Sequence, residues 1–195
     1  MVIDDSPLPM PRSDIGNHLG RLLDGAAGTD VSFVIDGEIF LAHRAVLAAR
    51  SPVLKAELLG SMCDAAMPSI TRHDIAPATF KLCFMYMDAW PGEDELGASP
   101  VEMLQDLLAA ADRYALDRLK LMCAQKSWEN LLVDTVATML ACTEIYNCPE
   151  LKNKCFEFFA VEKNFKKVVF TDGFAMLVQK FPSIADELKK KVDAT

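Results

Sequence analysis

The stretch TDVSFVIDGEIFLAHRAVLAARSPV, residues 29 to 53, constrains the fold more than any other part of the chain. Val31, Phe33 and Ile35 alternate with Ser32, Val34 and Asp36, which is strand spacing with both faces partly buried. Asp36-Gly37 then supplies the two residues that tolerate positive φ in a tight hairpin turn. Glu38 to Ala42 reads as the return strand. From His43 the apolar period becomes helical and runs to Arg50, where Ser51-Pro52 ends one helix and starts another, with Ser as cap and Pro in the first turn. The chain must therefore build a hairpin whose second strand feeds directly into a helical pair.

A hairpin brings Asp30, at the start of the first strand, close to Arg44, at the start of the helix after the second. A partly buried pair of charges is costly unless each meets the other or a hydrogen-bonding group. Two readings stand side by side: a structural ion pair, or a charged pocket with a function.

The rest of the chain is mostly helical in pattern. Residues 1–12 carry three prolines and two aspartates and read as a tail. After Ser13, Ile15, Leu19, Leu22 and Leu23 form one apolar stripe, closed by the GAAG at 25–28. Leu54 and Leu58 share a helical face that Gly60 closes, and Met67 to Thr71 reads as a third, edge strand. Pro77 opens a helix through about Met87, followed by the acidic loop DAWPGEDELGA. Ser99-Pro100-Val101-Glu102 has the spacing of a capping box. It predicts helices over 100–113 and 115–131, the first turning Leu104, Leu107, Leu108 and Ala111 inward. Beyond Asp134 the pattern is helical only. Val136, Met139, Leu140 and Thr143 form one stripe, and Leu151, Cys155, Phe158 and Phe159 another. Two more helices are expected over 172–180 and 183–191. The expected organisation is a tail at 1–12, a mixed domain at 13–131 and a helical segment at 132–195.

Charge and composition exclude several function classes. The net charge is −8, so approach to nucleic acid or an anionic membrane would need a strong local basic patch. The acidity lies in residues 1–148, with 21 acidic and 11 basic side chains, against 7 and 9 in residues 149–195. The lysine triplet at 189–191 reads as a solvated helix end. No apolar run is long enough to span a membrane, and the N-terminus lacks the basic start and apolar run of a signal peptide. Six cysteines without a secretory signal suggest free thiols in a reducing compartment, the cytoplasm or the nucleus. Their positions contain no CxxC pair and the three histidines stand singly, so no metal or cofactor is expected.

Catalytic constellations fare no better. A triad could enlist Ser51, His43 and Asp30 or Asp36, but Ser51 is already explained as a cap and no GxSxG turn exposes it. Cys63 and His73 flank the expected third strand without supporting residues. No phosphate-binding GxxxxGK[ST] or GxGxxG occurs. The expectation is a protein that is not an enzyme.

The order of elements, with the runs AHRAVLAARSPV, LLAAADRYALDRLKLMC (107–123) and TVATMLACTEIYNCPELKNKC (135–155), closely resembles the BTB/POZ domain. The branch it resembles is the speckle-type POZ and plant MATH–BTB proteins, including the start of their BACK segment, over residues 13 to 182. The resemblance implies an α+β fold, a small sheet flanked by helical hairpins, followed by an all-helical BACK-like annex. It implies a homodimer, with related BTB proteins as further candidate partners, through Ile15, Leu19, Leu22 and Leu23. Asp30 and Arg44 match the family's charged pair near the dimer groove, and His43 the histidine that opens its helix.

The resemblance further implies a substrate-adaptor role in a cullin-3 ubiquitin ligase, with an unidentified protein as substrate. The docking signature, an apolar residue, any residue, then glutamate, falls on Met62-Cys63-Asp64, where aspartate is one methylene short. The family's tyrosine in its F-x-Y run matches Tyr86. Full-length relatives carry a MATH domain that captures the substrate, which a twelve-residue tail cannot supply. The rivals are a BTB scaffold or decoy that dimerises without cullin, and an enzyme with an unrecognised site.

Overall fold

A computed structural model describes residues 18, 21, 26–60, 66–85 and 99–193. The expected tail at 1–12 and the stripe Ile15, Leu19, Leu22 and Leu23 lie outside the described residues, as do Met62, Cys63, Asp64 and Tyr86.

The hairpin forms as its sequence demands. Strand β1 (Val31–Ile35) pairs antiparallel with β2 (Glu38–Ala42), from Ile35 opposite Glu38 to Val31 opposite Ala42. Asp36 and Gly37 take φ of 48° and 87°, the positive pair that makes a two-residue turn follow the twist of its strands. Val31, Phe33 and Ile35 are buried, while Ser32 and Val34 on the other face are half-buried. The third strand, β3 (Ser69–Arg72), lies parallel to β1 on its other side, with Phe33 opposite Ile70. It begins two residues later than the expected Met67. The sheet order is β2-β1-β3.

Between β2 and β3 come α1 (Arg44–Arg50) and α2 (Pro52–Leu59). They meet at Ser51, whose buried hydroxyl accepts the Leu54 amide at 3.0 Å and donates to the Tyr114 carbonyl at 2.6 Å. One side chain thus caps α2 and ties it to a turn 63 residues away. Helix α3 (Pro77–Met85) follows β3 and lays Phe80 at the centre of the sheet-side core. Its ring stands 5.1 Å from both Phe33 and Phe40 and 4.7 Å from Phe84, which meets Tyr114 edge-on at 5.1 Å. Such tilted and edge-on contacts suit the charge distribution of aromatic rings.

Helix α4 (Pro100–Arg113) is amphipathic as expected, with Leu104, Leu107, Leu108 and Ala111 fully buried. The capping box is not made. Ser99 is the N-cap residue, yet its side chain forms no capping bond, and Pro100 with its fixed φ starts the helix instead. Helix α5 spans Asp117–Glu129 rather than 115–131, because Ala115 sits at φ 51° and forces a turn before it.

The helical remainder comprises α6 (Val136–Ile145), α7 (Pro149–Ala160), α8 (Glu162–Val168), α9 (Asp172–Lys180) and α10 (Pro182–Asp193). Both expected stripes face inward, Phe158 being half-buried. Helix α8 is the one the sequence did not announce. A single apolar core runs from Val31 in the sheet to Leu188 in α10. Helix α5 joins the two halves, packing against α4 on one side and α7 on the other. No described helix is long and apolar enough to cross a membrane.

Candidate interaction surface

Asp30 and Arg44 do meet, and the meeting is one of a carboxylate with a backbone amide. Pairing of Val31 with Ala42 sets Asp30 beside the start of α1. Its Oδ1 accepts the Arg44 N–H at 2.8 Å, while its own N–H donates to the Ala42 carbonyl at 3.1 Å. His43 is the N-cap residue of α1, in extended conformation, and its side chain makes no capping bond. The carboxylate from the neighbouring strand supplies that cap, where a helix leaves N–H groups unpaired and favours negative charge. The His43 ring lies over Gly28, with Cε1 3.7 Å from where a Cβ would stand. Gly28 has φ of 78°, so a side chain there would be strained.

The Arg44 guanidinium reaches the opposite way. Nη1 donates to the Leu58 carbonyl at 3.2 Å and Nη2 to the Met67 carbonyl. Leu58 lies in the last turn of α2 and Met67 just before β3. The half-buried arginine therefore pins together the two shoulders of the segment that carries Met62 and Asp64. A planar, permanently charged fork suits this task, because it can serve two carbonyls at fixed spacing. The exposed side chains of Leu59 and Met67 flank the same segment.

Two of the residues considered for catalysis, Ser51 and Asp30, are engaged in structural hydrogen bonds. Ser51 is buried in its two bonds, and Asp30 holds α1. Asp36 and His73 line a cleft of about 460 Å³ with Asp74, Thr79, Asp106, Arg113 and Tyr114. There Arg113 pairs with Asp74 and lies 5.8 Å from the Tyr114 ring centre, and Thr79 donates to the Met103 sulfur at 3.9 Å. Burial pushes the Tyr114 phenol up, with Asp74 adding to the shift. Burial and the neighbouring Glu102 raise the Asp106 carboxyl.

Cys83, Cys123, Cys142, Cys148 and Cys155 are free and buried. Desolvation raises all five thiols, Cys123 and Cys155 to about 12 and Cys142 to about 11. At neutral pH they are protonated and act as small apolar residues. Among the described residues no group of three His, Cys, Asp or Glu side chains is arranged to hold a metal ion. What the sequence missed here is Arg44's pair of carbonyl acceptors, since backbone groups leave no mark in the residue pattern.

Two family models match different parts of the chain. A family model described as the BTB/POZ domain matches residues 19–131, and one described as the BPM/SPOP BACK domain matches residues 135–189. BTB/POZ and MATH domain-containing protein 3 of Arabidopsis thaliana is 40% identical over 192 residues, covering 95% of this chain and 47% of the relative. Protein 4 of the same series and plant is 40% identical over 194 residues, covering 94% of this chain and 41% of the relative. The chain thus spans under half the length of these curated relatives. Among solved structures, the BTB domain of human Gigaxonin aligns at a TM-score of 0.44 with 22% identity, over 62% of this chain and 97% of that one. The BTB domain of zebrafish PATZ1 aligns at 0.47, also with 22% identity, over 64% and 100%.

Proposed function

The chain belongs to the BTB/POZ family, with a BACK segment of the BPM/SPOP type behind it, and on that premise we propose that it is a non-enzymatic adaptor of a cullin-3 ubiquitin ligase. In this reading it pairs with itself through Ile15, Leu19, Leu22 and Leu23 and docks the N-terminal part of cullin-3 through Met62, Asp64 and Tyr86. The ligation chemistry belongs to other subunits, and a protein substrate is brought in by a partner or by a further domain. The protein works in the cytoplasm or nucleus, where thiols stay reduced.

The observation that carries the reading is the clamp at Arg44. A docking segment presents its side chains reproducibly only if its ends are fixed, and the guanidinium fixes both shoulders of the segment bearing Met62 and Asp64. Asp64 keeps the negative charge of the family's glutamate and loses one methylene of reach, so a bridging water would complete the contact.

Calorimetric titration with the cullin-3 N-terminal domain tests this. Saturation at one cullin per chain is expected, and Met62→Asp should abolish it while leaving the circular dichroism spectrum unchanged. A wild-type protein that dimerises and shows no heat of binding would refute the adaptor reading and leave a dimerisation scaffold. Light scattering tests the dimer: Leu22→Asp with Leu23→Asp should halve the mass.

A further inference from the structure

Strand β2 is built as an edge that asks for another strand. No strand among the described residues pairs along its outer side, since the sheet order is β2-β1-β3. Proteins usually blunt such an edge with lysine, proline or a bulge. β2 reads Glu-Ile-Phe-Leu-Ala, without any of these. Its outward side chains are instead Ile39, 67% exposed, and Leu41, 43% exposed, next to half-buried Val34 of β1.

The backbone agrees with the side chains. A two-residue turn closes on a hydrogen-bonded pair, here Ile35 with Glu38, so bonded pairs alternate and recur at Phe33 with Phe40. The N–H and C=O groups of Ile39 and Leu41 then point away from β1, toward the open side. The two residues that offer apolar surface are the same two whose backbone groups meet no partner among the described residues.

We propose that this edge pairs with β2 of a second copy of the chain, antiparallel about a two-fold axis at Phe40. In that register Ile39 of each copy stands opposite Leu41 of the other, so both bonded pairs are apolar pairs. Phe40 faces its own copy on the core side of the sheet, and Glu38 faces Ala42. The hairpin tip, Asp36 and Glu38, comes beside the start of α1 of the second copy, and this happens twice. A shift of two residues either way loses the match, setting Leu41 against Gly37 or Ile39 against His43. One register therefore satisfies bonding and apolar contact together, which is what an isologous interface requires. Strand β2 shares no residue with Ile15, Leu19, Leu22 and Leu23 of the proposed dimer, and the proposal does not depend on cullin docking. Two different two-fold contacts on one chain join dimers into larger assemblies.

Sedimentation velocity over a concentration series tests the edge. The wild-type chain should form species heavier than the dimer as concentration rises, and Ile39→Lys with Leu41→Lys should stop at the dimer with unchanged circular dichroism. The loss in association should be at least roughly tenfold. If the helix contact is not made, the same variant stops at the monomer, so the two interfaces are read separately. Register is tested by mixing a chain carrying Ile39→Cys with one carrying Leu41→Cys under mild oxidation. The mixture should yield a disulfide-linked pair that neither chain forms alone. A wild-type mass independent of concentration would overturn the proposal. So would assembly that survives both lysines, or cross-links equally strong in each single variant.

Discussion

The sheet-bearing part and the helical part of this molecule share one apolar core yet are held by different means. Around the sheet, individual polar side chains bridge distant segments: Ser51 to Tyr114, Asp30 to Arg44, Arg44 to Leu58 and Met67. In the annex, polar bonds are local and the long-range links are surface ion pairs such as Lys152 with Glu144 and Glu187. A parallel strand and a hairpin in one sheet need their crossovers fixed in place. Stacked helices satisfy their own backbone and need only matching apolar stripes. The sheet part is therefore specified by few bonds of high individual cost, the annex by many contacts of low cost.

The largest effects should come from the cores. Phe80→Ala, at the centre of the aromatic cluster, should cost about 3–5 kcal/mol, and Phe159→Ala in the annex a similar amount. Urea denaturation followed by fluorescence and by circular dichroism tells whether the continuous core makes one cooperative unit. Both variants should move a single coincident transition. A separate early transition in Phe159→Ala alone would divide the molecule at α5.

Equivalent caps sharpen the contrast. Ser51 and Thr171 each accept the amide three residues on and donate to a carbonyl. Ser51's carbonyl is 63 residues away and buried, whereas Thr171's is that of Val168, three residues back. Ser51→Ala should cost about 2–3 kcal/mol, since it also strands the Tyr114 carbonyl. Thr171→Ala should cost about 1 kcal/mol. Equal losses would mean that the long-range bond contributes nothing beyond the cap.

Arg44→Met should come next, at about 1–2 kcal/mol, because the aliphatic stem is retained and two carbonyl bonds are lost. Its signature is local. Hydrogen exchange should accelerate in the last turn of α2 and at the start of β3, and stay unchanged in α6 to α10. Uniform acceleration would show a general loss of stability and no clamp.

Much of this was legible in the residues. Asp36-Gly37 fixed the turn, Ser51-Pro52 the helix junction, and the spacing of Leu104, Leu107, Leu108 and Ala111 the buried face of α4, because each is a local rule of sterics or period. The misses are non-local or marginal. Helix α8 buries only Val168 and has no side-chain cap, leaving little period to read. The Ser99 box has the right residues, but Pro100 already sets the helix start. Tyr114's carbonyl as the target of Ser51, and those of Leu58 and Met67 as targets of Arg44, exist only once the chain is folded. The dimer and cullin positions rest on resemblance, and Ile15, Leu19, Leu22, Leu23, Met62, Asp64 and Tyr86 fall outside the described residues.

The smallest effect belongs to the annex surface. Lys152 joins α7 to Glu144 of α6 at 2.8 Å and to Glu187 of α10 at 3.1 Å, its amine beside the Phe156 ring. Desolvation pulls its pKa down, but the hydrogen bonds and charges of the two glutamates outweigh this and hold it above the ordinary lysine value. A base raised on folding adds stability below its unfolded pKa and loses it as pH rises through the folded value. Lys152→Met should thus cost about 0.5–1 kcal/mol at pH 7 in low salt. The difference from wild type should persist through pH 9, fade above about pH 10.5, and shrink at 1 M salt, where screening acts within about 3 Å. A difference indifferent to salt and pH would show that the two ion pairs contribute nothing to it, and the annex would then be held by apolar contact even at its surface.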